Sequence, residues 1–445
     1  MKAKEIISNV EVAVLGGGIT GSATFYILSK YTDINSIVLV EKCKDLGQIN
    51  SKESNNSQTL HFGDIEANYS PEKAVSTKQA SQMIVNFLEK NDAKGTYKKS
   101  HKMLLAVGKK EIEIFEKRFE QFKTIFPEFK KIGRAEIGKI EPEIVRGRNK
   151  RQQIMAGYSE NGYTVDFGKL AQIFASEAVK AKPESSKIIL GSEVLEISKK
   201  DSAYEIKTNA GIIIAKSVIV AMCSHSLFFA KSLGHGKEFS ILPVGGNFYT
   251  SKRKVLNAKV YTMQSDKLPF AGVHGDPNIH NENETRFGPT ANFMPFLERN
   301  NPKTFIDFTR SSLCDFKSFI ALAKVITDKL LFAYLAKSLI YELPYFGPRT
   351  YAKLCQKIIP TLSYEDFRGQ KSKAGIRPQL INNNTGKLQM GEIEIMGENI
   401  LFNITPSPGA TACLKNAKES VKKTIDFFNG KYSFDEKLFE SELSS

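Results

Sequence analysis

No uninterrupted apolar run in the 445-residue chain reaches the ~18–20 residues that a bilayer-crossing helix needs, which excludes a transmembrane helix. Met1–Asn9 is too polar for a secretory signal. Cysteine is scarce: Cys43, Cys223, Cys314, Cys355 and Cys413 are an odd number, widely spread, with no CxxC pair. That excludes a disulfide framework and a zinc knuckle, leaves no metal site to expect, and fits a reducing compartment. Also missing are lysine–arginine clusters interleaved with aromatics, a helix-turn-helix spacing and a zinc finger. The net charge of 63 − 48 = +15 is therefore not read as nucleic-acid binding. It leaves an anionic membrane surface, an anionic substrate, or plain solvation by lysine. No internal repeat is visible, and low complexity is confined to Ser51–Ser57 and the tail after Asn429. What is present, 41% hydrophobic and 25% charged residues, is ordinary for a globular chain of two or three domains with a large core.

The informative stretch comes first. Val10, Val12, Val14 and Leu15 form a β-branched run of the kind buried in a parallel sheet. Gly16-x-Gly18-x-x-Gly21 follows, and Ile19, Ala23, Ile27 and Leu28 then recur at helical spacing. Gly16 permits a tight turn, Gly18 lets backbone approach a pyrophosphate, and Gly21 lets helix pack on strand. The helix N-terminus supplies free N–H groups to the phosphates. A second strand, SIVLVEK, ends on Glu41, 20 residues after Gly21. That carboxylate suits the hydroxyls of an adenosine ribose and disfavours a 2′-phosphate, hence NADP.

A nicotinamide enzyme usually completes its cofactor domain in one stretch, but no second βαβαβ half follows here. Instead SKESNNSQTLHFGDIEANYSPEKA gathers Ser, Asn, Gln, Thr and His around Gly63, groups that suit a hydrogen-bonded ring. GYTVDFGKLAQIFASEA predicts a helix capped by Asp166, with Phe167, Leu170, Phe174 and Ala178 inward. Residues 187–221 read as a β-meander leading into a cofactor strand, Val218–Ala221. Near the end a strand meets Pro408-Gly409, and Ala410, Cys413, Leu414, Ala417, Val421, Ile425 and Phe428 form a helical stripe.

In this order the segments resemble the FAD-dependent oxidases and dehydrogenases of the D-amino-acid-oxidase-like superfamily. Within it the chain is most similar to the malate:quinone oxidoreductase family, with L-2-hydroxyglutarate dehydrogenases more distant. The likeness is carried by VAVLGGGITG, SNNSQTLHFGDIEANYSPEKA, NGYTVDFGKLAQIFASEA, LPFAGVHGD, RFGPTANF, KAGIRPQLI and SPGATA. One departure is plain: many family members carry a Trp-Asn-Asn-Ala-Gly-Thr-Gly-His flavin loop, whereas this chain has no tryptophan and reads SQTLHFG.

The resemblance implies an α/β (α+β) fold: a Rossmann-like FAD domain, a second antiparallel-sheet substrate domain and a helical insertion. The FAD domain is expected from residues 1–95, 155–240 and 370–430, and the roof from 96–154 and 241–369, including a helical segment at 310–360. Within that segment, 316–346 reads either as a packed helical subdomain or as a surface helix at the lipid head-group boundary. FAD, bound non-covalently, is expected on Gly16, Gly18, Gly21, Glu41, Ser57, Gln58, Thr59, Val194, Ala221, Ser407, Pro408, Gly409 and Ala410. Cys223 and Cys413 read as small packing groups rather than flavin attachments.

Oxidising (S)-malate to oxaloacetate needs cations for carboxylates, a base for the hydroxyl proton, and an acceptor for the hydride. Arg377 in GIRPQ is the first choice of clamp and Arg286 the second; His274 and His61 are the candidate bases. Electrons are expected to pass to a membrane quinone, from a cytoplasmic protein lying peripherally on the anionic inner face of the cytoplasmic membrane. The rival readings are another 2-hydroxy acid, such as L-2-hydroxyglutarate or lactate, and an FAD-binding scaffold without catalysis.

Overall fold

The computed structural model describes residues 5–91, 93–264, 272–367, 369, 371–389, 391–406 and 408–444. Ser407 and residues 268–271 of the LPFAGVHGD segment lie outside them. The opening β-branched run becomes the middle of a parallel sheet. Strand β1 (Ile6–Leu15) pairs in parallel with β2 (Ile37–Val40) on one side and with Ile212–Val220 on the other. It begins earlier than its apolar pattern suggests, because Ile6 already pairs with Ile212. The full order is Ile393–Gly397, Ile400–Ile404, Ile212–Val220, β1, β2, Ser186–Ile189. Only the first pair in that order is antiparallel. The expected meander is Val194–Lys200 and Ala203–Thr208, folded antiparallel onto Ile212–Val220.

Helix α1 (Ile19–Tyr31) and the helices Phe167–Ala181 and Cys413–Asp426 share one apolar cluster with β1 and β2. Asp166 caps the second of them, its Oδ1 accepting from Lys169 N at 3.0 Å. A second cluster joins the other side of the sheet to the meander and to the helical insertion through Phe308, Leu322, Leu331 and Leu335. That insertion is four helices: Thr304–Ser312, Phe316–Ile326, Lys329–Glu342 and Phe346–Cys355.

Two further sheets form the roof. One runs Lys371–Lys373, Asn247–Ser251, Asn281–Gly288, His274–Asn278, Lys259–Thr262, Tyr97–Val107, Ile154–Val165, Thr59–Leu60. Its neighbours are antiparallel except for Lys259–Thr262 against Tyr97–Val107. The other is Asn292–Phe293, Phe239–Gly245, Arg377–Asn382, Lys387–Gln389. The strand pairing draws the domain boundary differently from the sequence at two places. Ile154–Val165 is the ladder partner of Tyr97–Val107, from Val165↔Tyr97 to Ile154↔Val107. Arg377–Asn382 pairs along Phe239–Val244. Residues 155–165 and 371–389, expected in the cofactor domain, thus complete roof sheets.

Candidate functional site

The cleft begins where strands end together. Leu15 stands opposite both Val40 and Val220, so Gly16, Glu41 and Ala221 leave the same edge of the sheet. Gly16 N donates to Val40 O and Ala221 N to Leu15 O, each at 2.8 Å. Gly16 has φ +106°, and a Cβ there would lie 2.6 Å from Ala221 O. A Cβ on Gly21 would lie 1.8 Å from Gly16 O, so this glycine sets helix against strand rather than lining the cleft. Helix α1 starts after Gly18 with no side-chain cap from that residue. Glu41 takes Gly17 N on Oε2 at 2.7 Å and Cys43 N on Oε1 at 2.8 Å.

The far end of the chain arrives at the same place. Thr405, just after Ile400–Ile404, sets its hydroxyl 3.4 Å from that of Thr20, and Thr411 Oγ1 accepts from His61 N at 3.1 Å. All these segments open onto one cleft of about 700 Å³. It is lined by Gly16, Gly18, Glu41, Ser57, Thr59, Val194, Ala221, Pro408, Gly409 and Ala410, and by His61 and Arg377. Sequence reasoning missed Ser51, whose Oγ accepts from Ile19 N at 2.9 Å, and Ser192. Ser192 is buried and its hydroxyl has no partner among the described residues. A glycine-backed helix start, an acid at the end of the second strand and an orphaned hydroxyl in one elongated cleft fit a dinucleotide such as FAD.

Three more expected site residues are placed elsewhere. Gln58 is turned into the protein: Oε1 accepts from Ile279 N and Nε2 donates to Glu53 O, both at 3.1 Å. Arg286 is buried and braces the same loop, donating to Asn56 O at 2.8 Å and Glu53 O at 3.2 Å while its guanidinium lies over the Phe248 ring. Those carbonyls occupy the fork that was expected to grip a substrate carboxylate. His274 is not among the residues lining the cleft. Its Nδ1 lies 2.6 Å from Asp276 Oδ2, and its ring stacks on Tyr261 at 4.6 Å. Burial alone would raise the Asp276 carboxyl, but His274 and Lys259 hold it far below the usual range. An ionised partner and a stacked ring make His274 part of a buried layer behind the cleft wall.

His61 stands in front of that layer, edge-on to Tyr261 at 6.3 Å. Gly63, at φ +94°, turns the loop back so that Glu66 takes Gly63 N on Oε2 at 2.8 Å and His61 Nδ1 on Oε1 at 2.7 Å. Burial pushes the Glu66 carboxyl up, but the hydrogen bond and charge of His61, with Lys102 behind, hold it below the usual carboxylate range. In the tautomer that a base needs, Glu66 holds the proton on Nδ1 and leaves Nε2 as the acceptor. Arg377 lines the same cleft, and no carboxylate pairs with it among the described residues. Burial pushes its pKa down, opposed by the Tyr261, Tyr334 and Tyr69 hydroxyls around it. A half-buried, unpaired guanidinium is a strong binder of anions.

The fold and this cleft define an FAD-dependent oxidoreductase of the D-amino-acid-oxidase-like type. Among solved structures the chain is similar to L-α-glycerophosphate oxidase from Mycoplasma pneumoniae with FAD bound, with TM-score 0.66, 18% identity, and 96% of this chain and 97% of that one covered. The family model for malate:quinone oxidoreductase matches residues 8–438, and the chain belongs to that family. It is 39% identical over 444 residues to a probable malate:quinone oxidoreductase of Campylobacter jejuni, covering 97% of this chain and 98% of the relative. It is 38% identical over 445 residues to the malate:quinone oxidoreductase of Helicobacter pylori, covering 98% of each.

Proposed function

We propose that the chain oxidises (S)-malate to oxaloacetate in this cleft and passes the two electrons to a membrane quinone. The carrying observation is that unpaired Arg377 and Glu66-oriented His61 open onto the same cleft as the dinucleotide cradle. Arg377 grips one malate carboxylate through its guanidinium fork. With Arg286 committed to the Glu53 and Asn56 carbonyls, the second carboxylate is left to neutral donors of the wall such as Ser57 and Thr411. His61 Nε2 takes the hydroxyl proton, and Glu66 stabilises the imidazolium that results. Gly16, Gly18, Glu41 and Pro408–Ala410 would hold FAD, which would supply the hydride acceptor.

Among the described residues no helix is long and apolar enough to cross a membrane. A quinone dissolved in lipid must therefore be met at the surface. The +15 charge favours an anionic surface, and cytoplasmic residence on the inner membrane face is the setting we assign.

The test of the assigned base is the anaerobic rate at which malate reduces the bound flavin in His61→Gln and His274→Gln. Loss of a general base costs ~10²–10⁴-fold, and the His61 variant should show it with FAD still bound. His274→Gln, behind the wall, should lose less, at most ~10–100-fold. The reverse order would return the base to His274.

A further inference from the structure

The helical insertion is apolar on the side that faces solvent. Of the twenty large hydrophobic side chains exposed among the described residues, twelve fall between Phe305 and Phe346. Phe316 is 78% exposed, Leu339 59% and Phe332 57%. Helix Lys329–Glu342 buries Leu331, Leu335, Ser338 and Tyr341 at i, i+4, i+7 and i+10, yet its other side carries Leu330, Phe332, Leu339 and Ile340. A helix with large apolar side chains on its exposed side as well as its buried one belongs inside a protein or against lipid. Six of the twelve are aromatic, and at ~150–250 Å² per aromatic side chain their half-exposure alone is on the order of 600 Å². The largest patch on a typical monomer is ~300–600 Å².

Charge on this face is predominantly positive. Lys317, Lys324, Lys329 and Lys337 are exposed, against two exposed carboxylates, Asp315 and Asp328, which cap helices. Asp315 Oδ1 accepts from Ser318 N at 2.8 Å, and Asp328 Oδ1 accepts from Leu330 N and Leu331 N at 3.1 Å. Glu342 is turned inward to Thr290 Oγ1 and Lys371 Nζ, each at 2.6 Å. A second copy docked face to face would set lysine against lysine. A bilayer with anionic head groups would satisfy both features at once.

We infer that this face is the docking surface for an anionic lipid bilayer. Its aromatic and aliphatic side chains enter the boundary between head groups and acyl chains, and its lysines meet lipid phosphates. The inference rests on the membrane-quinone reading above and adds where the chain touches the membrane. Helix Lys329–Glu342 seats Leu331 and Leu335 in the apolar cluster that also holds Val244, the ladder partner of Arg377.

The test uses the holoenzyme and vesicles of phosphatidylcholine with or without phosphatidylglycerol. Wild-type protein should bind the anionic vesicles, and weaken in pure phosphatidylcholine or high salt. Phe332→Glu combined with Leu339→Glu changes two exposed side chains. It should cut vesicle binding at least ~10-fold while malate-dependent reduction of a water-soluble quinone stays unchanged. A double variant that binds vesicles like wild type overturns this surface and leaves the membrane reading standing. A wild-type protein that ignores every vesicle overturns both. A solution dimer broken by the double substitution, with vesicle binding intact, makes the face a contact between copies and overturns the inference.

Discussion

At the scale of single residues, the cleft works by leaving some groups unpaired and binding others tightly. Arg377 keeps its fork free in the half-buried cleft wall, so a point charge in its place keeps the sign but loses the paired geometry. Arg377→Lys should raise the malate KM ~10–100-fold, about 1.4–2.7 kcal/mol, with FAD content unchanged; steady-state kinetics over a malate series checks this. Glu66→Gln keeps the shape but removes the charge behind His61. A neutral partner stabilises the imidazolium less, so the acid limb of the rate profile should move to lower pH. The maximal rate should fall ~10–100-fold. A merely structural role would leave the limb where it was.

At the scale of elements, the C-terminal segment is pinned to the cofactor domain by one carboxylate. Glu442 meets Lys30 at 2.7 Å, Lys90 at 2.6 Å and the Tyr31 hydroxyl at 2.7 Å. Burial works against its charge, yet these three partners bring its pKa down to about 2. A depressed carboxyl stabilises the fold fully above its unfolded value and loses that contribution as pH falls through its folded value. The loss therefore spans roughly pH 4.5 to 2. Glu442→Gln should lower stability by ~1–3 kcal/mol at neutral pH and by nearly nothing at pH 2, measured by denaturant titration. Some elements were plain in the sequence for local reasons. The glycine turn, Glu41 and the Asp166 cap are each written within one strand–turn–helix. Ile154–Val165 and Arg377–Asn382 take their ladder partners from about 50 to more than 130 residues away, which a strand's own pattern does not name. His274 and Arg286 have partners that pattern does not name either. Residue type and motif named them as chemistry, but only the fold shows Asp276 and the Glu53 and Asn56 carbonyls already holding them. Glu66 was legible in principle, as an acid five residues after His61 across a glycine that turns the chain.

At the scale of the whole molecule, the two ends of the chain close around one cleft. Thr20 meets Thr405, and His61 meets Thr411, across more than three hundred residues of sequence. The roof strands bring Arg377 over the same space, and the insertion presents its apolar side outward from there. The central claim is that this cleft oxidises malate through a bound flavin. The most direct measurement mixes the purified yellow protein anaerobically with a panel of 2-hydroxy acids and follows flavin absorbance. It then adds a soluble quinone. Bleaching by (S)-malate and not by lactate or L-2-hydroxyglutarate, with colour restored by quinone, is the expected result. Bleaching by another acid in preference to malate, or a colourless protein that takes up no FAD, would contradict it.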